Sequence, residues 1–161
     1  MGIAQEIDQL YSAYEAKLSA RQMAVRKVAS DIKDGLVKYV GLNPNARYDD
    51  DGKFKGPRID IGIGQGKDFK SQLWTTLPIG RGGAVEFAIS YWLLGQFGDY
   101  LLTFDCSVVS VSAGYEVSID KVSDAYVISK KDAAEGGFSD LYALMIGALK
   151  SKIDPELIYV H

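Results

Sequence analysis

A run of N-terminal residues, 3–40, constrains the fold most, because its apolar side chains recur at helical spacing over an unusual length. They are Ile3, Ile7, Leu10, Tyr14, Leu18, Val25, Val28, Ile32 and Leu36. At about 100° per residue these positions lie within a stripe roughly 80° wide, which predicts one long amphipathic helix. Arg21 interrupts the stripe, and Gly41 followed by Pro44 predicts where the helix ends. The stripe keeps phase at a period of 3.6 residues, so a heptad coiled coil is not favoured.

The length of this helix is itself informative. About 38 residues would extend roughly 57 Å, whereas a compact domain of this chain length has a diameter near 40 Å. Either the helix breaks at Asp34-Gly35, or its end projects and packs on a second chain. Both alternatives stay open from the sequence.

Strand-like segments rich in β-branched and aromatic residues follow, and glycine-containing turns separate most of them. The predicted strands are 58–63, 72–79, 85–93, 100–111, 115–119 and 125–128, and residues 42–57 and 129–137 are predicted to be loops. Ser139 is a plausible N-cap for a second helix over 140–152. A short edge strand is expected at 157–160.

Alternation along the predicted strands gives one apolar and one polar face. The apolar face contains, among others, Ile59, Ile61, Phe87, Ile89 and Phe104. Both helices carry one apolar stripe, so both are expected to pack on this face. The fold class is therefore α+β: a two-layer sandwich with an antiparallel, meander-like sheet of about six strands covered on one face by the long N-terminal helix and the C-terminal helix. We expect one domain, 1–161, with the helix at 1–41, the sheet at 58–128 and the second helix at 139–152.

The opposite, polar face is the candidate binding surface. Both tryptophans of the chain are predicted to lie there among polar residues, and tryptophan is enriched at positions that dominate interface energies. The candidate binding residues are Trp74, Trp92, Arg58, Asp60, Glu86 and Asp105. A solvated sheet face is the plainer interpretation of the same pattern.

Two segments resemble ligand motifs but lack required residues. Residues 62–67 are rich in glycine, but Lys67 stands where the dinucleotide fingerprint needs its third glycine, so a hairpin turn is predicted. Residues 49–52 resemble part of a calcium loop, but Arg47 and Arg58 stand where that loop needs carboxylates. An acidic surface turn is predicted there.

No catalytic set is apparent. His161 is the single histidine and the last residue, so histidine-based triads and multi-histidine zinc sites are not expected. Cys106, the single cysteine, lies on the predicted apolar face and is expected in the core rather than as a nucleophile. We expect no cofactor and no resident metal, and the chain is not expected to be an enzyme.

Charge and composition limit the partners. The net charge of −3 argues against a nucleic-acid binder, although residues 53–81 are locally basic with interleaved aromatic residues. A lone cysteine cannot form a disulfide within the chain, which agrees with a reducing compartment, and no segment is predicted to be a signal peptide or to span a membrane. A cytoplasmic location is expected.

Three functions fit these residues. The first is a non-enzymatic protein-interaction module, such as a small inhibitor, immunity-type or accessory protein, with homodimerisation through the N-terminal helix as one form of that interaction. The second is a small-molecule binder that uses the polar sheet face. The third is a metal-dependent hydrolase that uses Asp60, Glu86 and Asp105.

Overall fold

The N-terminal helix is continuous. The structure, a computed structural model, describes residues 2–119 and 124–153, and helix α1 spans Ile3–Tyr39 without a break at Gly35. It ends as predicted at Gly41: the N–H groups of Gly41 and Leu42 donate to the carbonyls of Lys38 and Val37, the hydrogen-bond pattern of a Schellman motif. Of the two alternatives for this helix, a break near Gly35 is therefore wrong.

The main sheet is antiparallel and has six strands. They are β3 (Ile59–Ile63), β4 (Lys70–Ser71), β5 (Val85–Leu93), β6 (Tyr100–Val111), β7 (Gly114–Ile119) and β8 (Tyr126–Ile128), after the strands β1 (Arg47–Asp50) and β2 (Lys53–Pro57) described below. The spatial order is β4-β3-β5-β6-β7-β8. From β5 to β8 the chain is a meander, whereas β4 and β5 flank β3 on opposite sides, so the segment between them crosses over β3.

Several stretches differ from the sequence-based prediction. The predicted strand at 72–79 is wrong: these residues form a 3-10 helix, Trp74–Thr76, followed by a second, Arg81–Gly83. The predicted loop at 42–57 contains a separate two-stranded hairpin of β1 and β2. The strand expected at 157–160 lies outside the described residues, as does His161.

Two further helices follow β8, namely α2 (Lys130–Ala134) and α3 (Ser139–Ile153). The short α2 lies within the predicted loop 129–137, and the Ser129 hydroxyl caps it by accepting from the N–H of Asp132. Helix α3 contributes four buried side chains to the core: Leu141, Tyr142, Met145 and Leu149.

The core lies between the apolar sheet face and the two long helices. Phe87, Ile89 and Phe104 from the sheet are buried in one cluster with Ile32 and Leu36 from α1. The predicted α+β two-layer class and the assignment of the apolar face are thereby confirmed.

Candidate interaction surfaces

Helix α1 divides into two segments of very different environment. Every residue from 3 to 21 is exposed, and Val25 is the first buried one. We call residues 3–24 the outer segment and residues 25–39 the inner segment. At 1.5 Å per residue the outer segment is roughly 33 Å long, so a large part of the helix projects beyond the layer that it covers.

The apolar stripe continues along the outer segment without a cover. On the face of the stripe, six large apolar side chains of the outer segment are between 39% (Leu18) and 76% (Ile3) exposed, while Met23, 37% exposed, lies on another side of the helix. The six are Ile3, Ile7, Leu10, Tyr11, Tyr14 and Leu18. We call them the outer stripe. The rings of Tyr11 and Tyr14 lie 6.4 Å apart with an interplanar angle of 28°, on the helix surface.

The inner segment is held firmly, so the base of the outer segment is fixed. Arg26 donates through Nε to the carbonyl of Leu77 at 2.9 Å, which joins α1 to the residue that follows the 3-10 helix Trp74–Thr76. The Tyr142 ring from α3 packs 5.4 Å from the Tyr39 ring, and Gly35 lies under its hydroxyl end. Burial raises the pKa of Tyr142 above its ordinary value, and the nearby carboxylates of α1 act in the same direction.

The polar face of the sheet is crossed by the loop between β3 and β4. In this loop Gln65 donates its amide to a carboxylate oxygen of Asp105, and the N–H of Gly66 donates to Thr103 Oγ1 at 3.0 Å. Asp105 and Thr103 belong to β6, so the loop passes over β5. The glycine-rich segment 62–67 is thus part of a hairpin, as predicted, and it contacts the polar face.

The hairpin of β1 and β2 covers one end of the same face. Tyr48 of β1 stacks on Trp92 with ring centroids 3.9 Å apart and an interplanar angle of 12°. Its hydroxyl donates to Asp99 at 2.9 Å. Burial raises the pKa of Tyr48 to about 12, and the hydrogen bond to Asp99 adds to the shift because it favours the protonated hydroxyl.

Two clefts result on the polar face. The larger, of about 720 Å³, is lined by Glu86, Ala88, Asp105 and Ser107, among others. The smaller, of about 400 Å³, lies beneath the hairpin and includes Asp60, Ser90, Trp92, Lys55 and Lys67 in its lining. Both volumes fall within the usual range for small-ligand sites, about 300–1,000 Å³.

The predicted binding residues do not form one site. Trp92 and Asp60 share the smaller cleft, and Arg58 donates from Nε to the Trp92 carbonyl at 3.0 Å. Glu86 and Asp105 line the larger cleft.

Trp74 is misplaced in the sequence-based assignment. It lies in the 3-10 helix that contacts α1, and its ring packs against the core cluster instead of facing outward from the polar sheet face. The physical reason is that 72–79 is not a strand, so alternation does not apply to it.

The three carboxylates proposed as metal ligands are separated in the same way. Among residues 2–119 and 124–153, no group of three or more His, Cys, Asp or Glu side chains is placed to hold a metal ion. Asp60 accepts from the N–H of Ile61 at 2.8 Å, while Asp105 is engaged by Gln65. The geometry gives the metal-hydrolase alternative no support.

Sequence reasoning missed the cover that the hairpin gives to Trp92. A signal for it was present, because Asp51-Gly52 between two short segments is a strong hairpin signal. Asp51 and Gly52 have φ values of 51° and 74°, the left-handed conformation that a two-residue type I′ turn requires at both central positions. No comparable signal predicted that Gln65 would contact Asp105 across the sheet.

None of the described helices has both the length and the apolar character needed to cross a bilayer. No protein-family model matches the chain, and comparisons with curated proteins and with solved structures find no significant match. The surfaces described above are therefore interpreted from their own chemistry.

Proposed function

We propose that the protein is a non-enzymatic protein-interaction module and that the outer segment of α1 is its principal binding surface. One observation carries this proposal: the apolar stripe that packs in the core at Val25 and beyond continues, uncovered, over Ile3–Leu18. We place this function in the cytoplasm, because a chain with a single cysteine has no disulfide to form within itself and so agrees with a reducing compartment.

The exposed area supports a binding role. With about 150–250 Å² for a whole aromatic side chain and somewhat less for Ile and Leu, the exposed fractions of the outer stripe leave roughly 700 Å² accessible. Exposed apolar patches on soluble monomers are usually smaller, about 300–600 Å² at most, and larger ones mark interaction sites. Helices without tertiary packing are also marginal in water, so a partner would stabilise the outer segment.

The test is a pair of charge variants on one helix turn. Leu10→Glu places a charge in the outer stripe, whereas Gln9→Glu adds the same charge on the opposite side of the helix. Proteins captured from the native host by the parent chain and by Gln9→Glu would be purified and their binding measured directly. A dominant contact is worth about 2 kcal/mol or more, so Leu10→Glu should weaken binding at least about 30-fold. Equal affinity of both variants would show that the outer segment is not the surface.

A small-molecule binder is the second candidate, because the polar face carries two clefts of suitable volume. The smaller contains the stacked Tyr48–Trp92 pair beside lysines and Asp60. A thermal-shift screen tests it, since a ligand present at 100 times its Kd raises stability by about 2.7 kcal/mol. Hits that Trp92→Leu does not abolish would argue against this cleft.

A further inference from the structure

We propose that the partner of the outer segment is a second copy of this chain, packed antiparallel to the first through the outer stripe. This inference rests on the proposed function and names its partner. Three features carry it: the symmetry of the stripe, the position of the sheet, and the length and area of the contact.

The outer stripe is symmetric under reversal of the chain direction. The six positions are 3, 7, 10, 11, 14 and 18, and counting them from the other end gives the same set. The reversal exchanges Ile3 with Leu18, Ile7 with Tyr14, and Leu10 with Tyr11. A two-fold axis perpendicular to the helix, midway between Leu10 and Tyr11, would therefore bring every apolar side chain of one copy opposite an apolar side chain of the other. An isologous contact needs this self-complementarity.

The position of the sheet favours an antiparallel over a parallel orientation of the two helices. Val25 and Val28 continue the same stripe and are buried against the body of the protein, so a helix lying on the outer stripe lies on the same side of α1 as the sheet. In a parallel pair the inner segment of the second helix would run into the space that the sheet fills. An antiparallel helix avoids this clash, because its N-terminal end points toward the sheet and its own body lies at the far end.

The length of the outer segment fits this register. When Ile3 of one copy lies opposite Leu18 of the other, seven residues, about 10 Å, remain before Val25 and the start of the buried stripe. The two helices then overlap over about 24 Å. This contact is short and straight, so it does not need the heptad repeat that the sequence lacks.

The area is close to what a stable dimer requires. Specific interfaces bury about 800 Å² on each partner, and the outer stripe alone exposes roughly 700 Å². Polar side chains that border the stripe would contribute the rest.

Charges on the two flanks of the stripe balance each other in this register. Glu6 and Lys17 lie on the same side, about 70–90° from the centre of the stripe, and an antiparallel pair brings Glu6 within about 3 Å, measured along the axis, of Lys17 in the other copy. On the other flank Asp8 approaches Glu15 of the second copy at the same offset. The attraction between Glu6 and Lys17 and the repulsion between Asp8 and Glu15 offset each other. The apolar contact of the outer stripe therefore holds the pair together.

The first experiment measures mass in solution. Light scattering on the whole chain over roughly 1–100 μM, a range set by the micromolar-to-picomolar affinities of interfaces of this size, should show a dimer for the parent and for Gln9→Glu. Leu10→Glu, whose site makes no core contact, should weaken the dimer at least about 30-fold while the circular dichroism of the body is retained. A parent chain that stays monomeric throughout would overturn the inference.

The second experiment measures orientation. Ser12 and Ser19 point the same way from the helix, away from the outer stripe, so each can be changed to cysteine and spin-labelled. In the antiparallel register the axial separation between the two labels of a dimer rises from about 5 Å at Ser12 to about 25 Å at Ser19. Equal distances at both sites would indicate a parallel pair and would overturn the proposal. Labelling of the parent chain controls for Cys106, which is buried.

The failure of this inference can be told apart from failure of the proposed function. If the parent is monomeric but a captured protein binds it and loses affinity with Leu10→Glu, the outer segment binds a different partner and only the second copy is refuted. If the parent is monomeric and Leu10→Glu also changes no binding, both are refuted.

Discussion

Gly35 is the position at which two physical effects predict opposite results for one substitution. It lies in the interior of α1, where alanine is more favourable than glycine by about 0.8–1.0 kcal/mol. It also lies against α3: a Cβ at this position would overlap the Tyr142 hydroxyl and would come within 2.9 Å of Tyr142 Cζ. Propensity predicts that Gly35→Ala stabilises the protein, and packing predicts the reverse.

Packing should win because Tyr142 has little room to move. Its side chain is buried, its ring contacts Tyr39 at 5.4 Å and Phe138 at 6.2 Å, and its hydroxyl donates to the carbonyl of Asp31 at 3.4 Å. Overpacking of a core costs about 1–3 kcal/mol, and the hydrogen bond would also be lost. After the gain in propensity is subtracted, we expect Gly35→Ala to lower the free energy of unfolding by about 1–2 kcal/mol.

The assay is urea denaturation, followed by circular dichroism at one protein concentration. For a chain of this size the loss corresponds to a fall in Tm of about 2–8 °C. Gly147→Ala is the matched control, since Gly147 lies in α3 and a Cβ there meets nothing within 4 Å. The control should gain about 0.5–1 kcal/mol.

A double variant isolates the cause. Tyr142→Leu removes the ring that the new Cβ of Gly35→Ala would overlap. In that background Gly35→Ala should lower the free energy of unfolding much less. The difference between the two losses measures the coupling between the two positions. If Gly35→Ala alone proves as stabilising as Gly147→Ala, the close approach of α3 to α1 is refuted.

Three further outcomes test the core, the hairpin and the outer segment. Phe104→Ala should lower the free energy of unfolding by about 3–5 kcal/mol, because Phe104 is 3% exposed. Phe97→Ala should change it by under about 0.5 kcal/mol, because Phe97 is 97% exposed. Similar losses for both variants in urea denaturation would contradict the placement of the core. The fold raises the pKa of Tyr48 from its ordinary value to about 12, so the stabilisation by the protonated hydroxyl is complete below pH 10 and is lost as the pH rises toward 12. The difference in tyrosinate absorbance between the parent and Tyr48→Phe measures the titration of Tyr48. A transition near pH 10 would contradict the burial of the hydroxyl. Amide exchange over 3–24 should slow as protein concentration rises while exchange over 25–39 stays constant, and concentration-independent exchange would speak against association through the outer segment.

Periodicity alone was sufficient for much of the fold. The stripe from Ile3 to Leu36 predicted α1, and alternation in 85–93 and 100–111 predicted both the strands and the face that packs in the core. These segments are long, so each contains several repeats of one period, and tertiary packing reinforces the local pattern.

Shorter segments misled the same reasoning. In 72–79, Leu73 and Leu77 are spaced like strand residues, yet Leu73 is exposed and Leu77 is buried. Local hydrogen bonds compete with a strand there, since Thr76 donates through Oγ1 to the Leu73 carbonyl and Gln72 donates through Nε2 to that of Thr76. The placement of Trp74 failed with that strand.

The candidate surfaces also differ in how far the sequence could predict them. Length left two alternatives for α1, a break near Gly35 or an end that packs on a second chain, and only the structure shows one continuous helix of 37 residues. The clefts depend instead on contacts between residues far apart in sequence, such as Tyr48 with Trp92 and Gln65 with Asp105, and no local pattern specifies such pairs.

The short outermost strands of the sheet have a consequence for how copies of the chain can associate. Within the described residues, the main sheet ends in β4, of two residues, on one side and β8, of three residues, on the other. Unpaired backbone groups on a long, flat outer strand are a template for open-ended cross-β growth, and strands this short offer few of them. The sheet of this chain therefore offers little template for fibrils, although the helix α1 exposes apolar side chains. A contact between two such helices about a two-fold axis is closed, so it would stop at two copies.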